Sequence, residues 1–145
     1  LLSRSALLEQ LDRIDAALAD LERAVQIAPD DAMALNAYGY LLANRTLQYR
    51  KAWTHVRRAL ELAPDNPPIL DSVGWALFKM GRYEEARSWL EQAWALLQDP
   101  ELASHLAEIY WKLGERERAR ELLTTTLEKW PDSQPARQTA ARLLR

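Results

Sequence analysis

The sequence contains no cysteine, and this absence removes several kinds of site at once. Without a thiol, the chain can form no disulfide bond, no thiolate zinc centre and no cysteine nucleophile. Only two histidines are present, and neither a glycine-rich phosphate loop nor a serine nucleophile turn occurs. Because catalysis needs several convergent reactive groups, we expect this chain to be no enzyme and to hold no cofactor.

An excess of charge of one sign is also lacking. The chain has 19 Lys and Arg residues against 21 Asp and Glu residues, which gives a formal net charge of -2. This balance offers no electrostatic footprint for nucleic acid. No run of 18 apolar residues occurs, so no segment is expected to insert into a membrane. The composition therefore favours a protein or peptide as the partner.

Glycine is scarce, yet two of the four glycines belong to a regular pattern of small residues. Gly39, Gly74 and Ala107 follow one another at distances of 35 and 33 residues. Three alanines repeat at distances of 34 and 33 residues: Ala52, Ala86 and Ala119. A constant period near 34 residues predicts a solenoid of repeated helix pairs.

These small residues, set among large apolar ones, resemble the signature of the tetratricopeptide repeat (TPR), a helix-turn-helix unit. The resemblance implies an all-α fold, a right-handed α-solenoid of antiparallel helix pairs that forms a TPR superhelix. One TPR domain is predicted for residues 1–145, with these parts: a partial repeat or N-terminal helix at 1–31, repeats at 32–66, 67–99 and 100–133, and a C-terminal capping helix at 134–145.

Two local features of the chain leave questions about the backbone. Residues 5–28 carry apolar residues at helical spacing and are either one continuous helix or a truncated first helix followed by a second one. The turn that follows Asn44 lacks the glycine that the later turns have at Gly81 and Gly114. We therefore predict that Asn44 takes the left-handed conformation that glycine supplies in those turns.

In the TPR family, the first helix of each repeat lines a concave groove that binds ligands. With first helices starting at Ala32, Pro67 and Pro100, the resemblance assigns twelve residues to a partner-binding groove: Asn36, Tyr40, Asn44, Asp71, Ser72, Trp75, Phe78, Lys79, His105, Glu108, Trp111 and Lys112. Aromatic side chains dominate binding hot spots, which favours Tyr40, Trp75 and Trp111. The alternative is that these three aromatic residues pack between adjacent first helices.

Two more specific kinds of site find little support. His105 and Glu108 are three residues apart and could share one metal ion, but the set is incomplete because His55 lies on another predicted helix. No metal site is expected. Some TPR domains grip a terminal carboxylate with lysine and asparagine pairs, but the matching positions here hold other residues: Asn36, Tyr40, Asp71 and Trp75.

The expected function is that of a non-catalytic protein-protein interaction scaffold or adaptor that holds a protein or peptide in the groove. The segment 70–78 is similar to the C-terminal repeats of bacterial multi-TPR proteins, which include lipid-anchored adaptors for periplasmic carboxyl-terminal processing proteases. The alternative is a self-association module in which apolar residues of the terminal helix face form a homo-oligomer: Leu7, Leu11, Ile14 and Leu18.

The start of the chain bears on its cellular compartment. The sequence begins with Leu1-Leu2-Ser3-Arg4 and has no initiating Met, so we expect a piece of a longer protein whose missing part could carry a signal or lipid anchor. A parent anchored in the outer membrane and facing the periplasm fits this sequence, and so does a cytoplasmic parent.

Overall fold

The computed structural model describes residues 2–145. Within that range, the chain forms nine α-helices and no strand: α1 (Leu2–Gln10), α2 (Ile14–Ile27), α3 (Ala32–Arg45), α4 (Tyr49–Leu62), α5 (Pro67–Lys79), α6 (Tyr83–Leu96), α7 (Pro100–Lys112), α8 (Arg116–Lys129) and α9 (Gln134–Leu143). Consecutive helices pack as pairs, and α3, α5 and α7 also contact one another in sequence. The predicted all-α solenoid is confirmed.

The first helix of each later pair begins with a side-chain cap. Asp31 accepts hydrogen bonds from the backbone N–H groups of Met33 and Ala34 at the start of α3. Asn66 and Asp99 cap α5 and α7 in the same way, and proline occupies the first turn of both helices. Because these caps satisfy N–H groups that have no partner within the helix, they define where each first helix begins.

The turns between paired helices are made in two different ways. Gly81 and Gly114 have φ angles of +83° and +85°, the left-handed conformation that glycine adopts without strain. The prediction of the same conformation at Asn44 is wrong, since α3 continues through Asn44 to Arg45. There the Thr46 hydroxyl donates to the Leu42 carbonyl at 2.6 Å, which satisfies the helix end while the backbone leaves in an extended conformation.

The N-terminal segment is a helix pair and not one continuous helix. Asp12, with a φ angle of +59°, lies in the left-handed region between α1 and α2. The reversal allows Leu8 of α1 and Leu21 of α2 to join the same buried core. Of the two interpretations that the sequence left open, the structure therefore has a short first helix followed by a second helix.

The paired helices approach most closely at the small residues of the repeat. A Cβ atom added to Gly74 would lie 2.0 Å from Leu90 Cδ2 and 3.1 Å from the Ala86 carbonyl oxygen. A Cβ atom added to Gly39 would lie 2.5 Å from Val56 Cγ1. A bulky side chain at either position would have to separate the two helices, because buried side chains and backbone already fill the space.

Gly74→Leu is therefore expected to lower the free energy of unfolding by about 1–3 kcal/mol through overpacking. Urea unfolding followed by circular dichroism measures this change. Ser88→Leu, at an exposed position of α6, is the control and should leave the midpoint nearly unchanged. Equal midpoints for Gly74→Leu and the parent protein would contradict the close crossing of α5 and α6.

Candidate partner-binding groove

Two cavities lie along the first helices of the pairs. The larger one, of about 900 Å³, is lined by residues of α1, α3, α7 and α9 and includes Asn44 and His105. The smaller one, of about 210 Å³, lies between α3, α5 and the start of α7 and includes Asn36 and Asp71. Tyr40 lines both cavities, so the two form neighbouring parts of one groove.

Tyr40 connects α3 to α7 across the intervening repeat. Its hydroxyl donates to Glu101 Oε1 at 2.8 Å and lies 3.3 Å from His105 Nε2. Burial raises the pKa of Tyr40 well above its usual range, and the negative charges of Glu101 and Asp71 raise it further. The hydroxyl therefore stays protonated and remains a hydrogen-bond donor inside the groove.

His105 is held by contacts on two sides. Its Nδ1 atom lies 2.8 Å from Asp71 Oδ1, and its ring stacks on Trp75 with centroids 4.0 Å apart. Burial lowers the pKa of His105, but the Asp71 carboxylate and its hydrogen bond outweigh this effect, so the pKa is raised above its ordinary value. The protonated imidazole is thus stabilised by a specific acidic partner.

Trp75 packs between first helices, the alternative that the sequence analysis weighed for the groove aromatics. Only 5% of the residue is exposed, and its ring lies between Phe78, with centroids 4.8 Å apart, and His105. The indole N–H donates to Asn44 Oδ1 at 3.2 Å. Trp75 therefore supports the groove from beneath, and its contacts differ from those expected of an open groove surface.

The remaining predicted groove residues are distributed between the interior and the rim. Ser72 and Phe78 are buried, and the Ser72 hydroxyl donates to the Pro68 carbonyl at 3.0 Å. Lys79 Nζ lies 5.2 Å from the centre of the Trp75 ring. Glu108 forms an ion pair with Arg142 of α9. None of these interactions leaves a side chain standing free in the larger cavity.

Trp111 and Lys112 lie at the end of α7, outside the linings of both cavities. Trp111 is half-buried beneath the Arg116 guanidinium, which lies 4.7 Å from the ring centre. Lys112 is exposed. The structure thus brings Asn36, Tyr40 and Asp71 together with His105 but leaves these two residues apart from them.

Several groove residues were missed from the sequence. Glu101 accepts the central hydrogen bond from Tyr40, Glu9 enters the larger cavity from α1, and Arg142 enters it from α9. The period itself contained a signal for Arg142, because 108 + 34 = 142 places it one repeat after Glu108. Extending the first-helix register into the last helix would have found it.

The charges of the groove are predominantly negative. Burial raises the pKa of Glu9, and the nearby Glu101 carboxylate raises it further. The two arginines that line the larger cavity are already paired, Arg45 with Asp12 and Arg142 with Glu108. The groove therefore offers acceptor oxygens and negative charge to a partner.

Metal and membrane sites find no support in the described part of the chain. Residues 2–145 contain no group of three or more histidine, aspartate or glutamate side chains arranged to hold a metal ion. Over the same range, no helix combines the length and apolar character that crossing a bilayer requires. The groove is thus described by hydrogen bonds and ion pairs between side chains.

Comparison with known proteins identifies the repeat. The family model described as tetratricopeptide repeat matches residues 48–109 and 77–144, and a second model of the same description matches residues 1–31. The chain belongs to the tetratricopeptide repeat family. The resemblance seen in the small-residue pattern is therefore confirmed.

Among relatives, this TPR chain is 41% identical over 108 residues to the TPR repeat-containing protein PA4667 of Pseudomonas aeruginosa. The match covers 74% of the chain and 18% of the relative, so the chain spans less than a fifth of that protein.

Solved TPR structures resemble the chain over most of its length. The thermophilic TPR protein TTC0263 of Thermus thermophilus is 25% identical, with a TM-score of 0.64, over 99% of this chain and 97% of that one. The O-GlcNAc transferase of Thermobaculum terrenum is 28% identical, with a TM-score of 0.69, over 75% of this chain and 21% of that one. A MamA structure, 19% identical with a TM-score of 0.68 over 93% of this chain and 79% of that one, shares the fold.

The contact between His105 and Asp71 should make the stability of this TPR domain depend on pH. Because the folded pKa of His105 is raised, the pair stabilises the fold fully below the unfolded pKa of about 6.5, and this contribution is lost as pH rises through the folded pKa. Asp71→Asn should therefore destabilise the domain more at about pH 5.5 than at about pH 9.

Urea unfolding of the parent domain and of Asp71→Asn at both pH values measures this difference. Asp132→Asn, at an exposed position after α8, is the control for removal of one negative charge. The assignment fails if Asp71→Asn costs the same free energy of unfolding at both pH values.

Proposed function

We propose that this TPR domain is a non-catalytic protein-interaction scaffold that holds a segment of a partner protein in the groove along α3 and α7. The observation that carries the proposal is the open cavity of about 900 Å³, which four helices line with hydrogen-bonding side chains. A segment in extended conformation has unpaired backbone groups, and Asn44, Gln138 and Arg142 offer them polar partners.

The absence of catalysis from this proposal follows from the chemistry of the groove. Its titratable groups are engaged in pairs, such as Tyr40 with Glu101 and His105 with Asp71, and no nucleophile accompanies them. The O-GlcNAc transferase with similar repeats is an enzyme, and the present chain corresponds to 21% of it. The repeats are thus compatible with a place inside a larger protein of either kind.

A finer form of the proposal is an adaptor of the bacterial envelope that brings substrates to a carboxyl-terminal processing protease. Two observations support it: the segment 70–78 resembles the repeats of such adaptors, and the P. aeruginosa relative is a much longer bacterial TPR protein. In this form, the domain supplies one binding surface and the rest of the parent protein supplies the other.

Blocking the groove should abolish partner binding. Gln138 is an exposed residue of α9 that lines the larger cavity, so Gln138→Trp fills the groove without disturbing the core. We expect a protein captured by the parent domain from a bacterial envelope extract, identified by mass spectrometry and purified, to bind Gln138→Trp about tenfold or more weakly, a loss of at least ~1.4 kcal/mol.

Thr124→Trp is the matched control, because it adds the same side chain at an exposed position of α8 that lines neither groove cavity. It should keep the affinity of the parent domain in isothermal titration calorimetry. Equal affinity of Gln138→Trp and the parent would place the binding surface elsewhere on the domain.

Self-association is a second candidate, favoured by apolar side chains at the N-terminal end. Leu7 and Leu11 are 55% and 60% exposed, whereas Ile14 and Leu18 are partly buried and pack against the core. Large exposed apolar residues that lie close together favour an interface. The interface of this candidate would therefore consist of the first two leucines and not of all four apolar residues.

If the domain self-associates in this way, its mass in sedimentation equilibrium will rise with concentration, and the double variant Leu7→Glu/Leu11→Glu will remain monomeric. Gln138→Trp should associate as the parent does, because it changes only the groove. A parent domain that stays monomeric up to about millimolar concentration would exclude this candidate.

A further inference from the structure

The smaller cavity of the groove has an unusual lining. Three carboxylates, those of Asp71, Asp99 and Glu101, line its volume of about 210 Å³, and none of its lining residues is lysine, arginine or histidine. Like charges brought together without a cation repel one another. The cavity is therefore electrostatically incomplete.

Each of these carboxylates uses one oxygen to hold its position. Asp71 Oδ1 lies 2.8 Å from His105 Nδ1, and Glu101 Oε1 accepts from the Tyr40 hydroxyl at 2.8 Å. Asp99 Oδ1 accepts the backbone N–H groups of residues 101 and 102, at 2.8 and 3.1 Å. The second oxygen of each group takes no part in these bonds, so three positioned acceptors remain for a ligand.

Asn36 supplies an independent sign that a donor is missing. The residue lines the same cavity and is only 8% exposed, and its Oδ1 atom is buried without any hydrogen-bond partner in the described part of the chain. Buried carbonyl oxygens in folded proteins nearly always accept a hydrogen bond. An N–H donor from a ligand would complete this site.

We propose that this cavity binds the side chain of a lysine or arginine in the partner segment. An ammonium or guanidinium group carries only donors and a positive charge, which matches a site made of carboxylates and an unpaired amide oxygen. The inference rests on the proposed scaffold function, and it names the chemistry of the partner: a basic segment.

The size and the apolar part of the lining agree with such a side chain. The cavity volume of about 210 Å³ is several times the roughly 30 Å³ share of one water molecule. Pro68, Leu97 and Leu102 complete the lining beside the polar groups. Lysine and arginine bury their methylene stems against apolar surface while the charged end meets polar groups, so both parts of the lining have a use.

Labelled peptide libraries test the proposal directly. Four libraries of acetylated and amidated octapeptides would carry neutral random positions around one fixed residue: lysine, arginine, norleucine or glutamate. Norleucine has the stem of lysine without its charge. Fluorescence anisotropy should show at least about tenfold tighter binding of the lysine or arginine library than of the norleucine library, and the comparison of these two basic libraries distinguishes ammonium from guanidinium.

Two variants separate the cavity from a general effect of charge. Glu101→Gln removes one negative charge from the cavity but keeps an oxygen that can accept from Tyr40. Glu128→Gln makes the same charge change at an exposed position of α8. We expect Glu101→Gln to weaken binding of the basic libraries about tenfold and Glu128→Gln to leave it unchanged, with equal helicity of all proteins in circular dichroism.

Asn36→Leu, which replaces the unpaired amide by an apolar group of similar size, should also weaken the basic libraries while it keeps the fold. The proposal is overturned if norleucine peptides bind as tightly as lysine peptides, if Glu101→Gln and Glu128→Gln behave alike, or if no library binds. Neutral peptides that bind and are blocked by Gln138→Trp would leave the scaffold function standing while the cation site fails.

Discussion

The close crossing of the two helices in each pair determines how the whole domain is built. At Gly39 and Gly74 no side chain separates the backbones, and Val56 and Leu90 of the second helices fill the space that a Cβ atom would need. Buried alanines on the second helices extend the same narrow contact. Since interiors are packed to near-crystalline density, the separation of the pair cannot change without loss of these contacts. Each pair therefore acts as one rigid unit.

Stacking of these units creates the groove. Asp71 and His105 occupy corresponding positions in successive repeats, 34 residues apart, and they meet because α5 and α7 lie side by side. Tyr40 reaches Glu101, 61 residues away, because the stack curves enough to bring α3 near α7. No single repeat contains both partners of either contact. The polar network and its negative charge are thus properties of the stack, which explains why a solenoid can bind a partner that one repeat cannot.

At the level of individual side chains, prediction succeeded for the groove helices and failed for some contacts. Placing Trp75 and Asn44 on first helices follows from the repeat register alone. That the indole N–H bonds to the Asn44 amide, and that Trp75 is buried between Phe78 and His105, depends on the angle between adjacent helices. The left-handed backbone at Asp12 was missed for a related reason, since aspartate adopts that conformation far less often than glycine and marks no turn by itself.

The sequence by itself determined the repeat, the helix pairing and the absence of thiol chemistry, because small residues at a period near 34 and capping residues such as Asp31 act over short distances along the chain. Only the tertiary structure decided which polar groups became partners. It placed Glu101 beside Tyr40 and left the Asn36 oxygen without a donor. These outcomes depend on differences of about an ångström in how repeats stack, and hydrogen bonds are sensitive to distance on that scale.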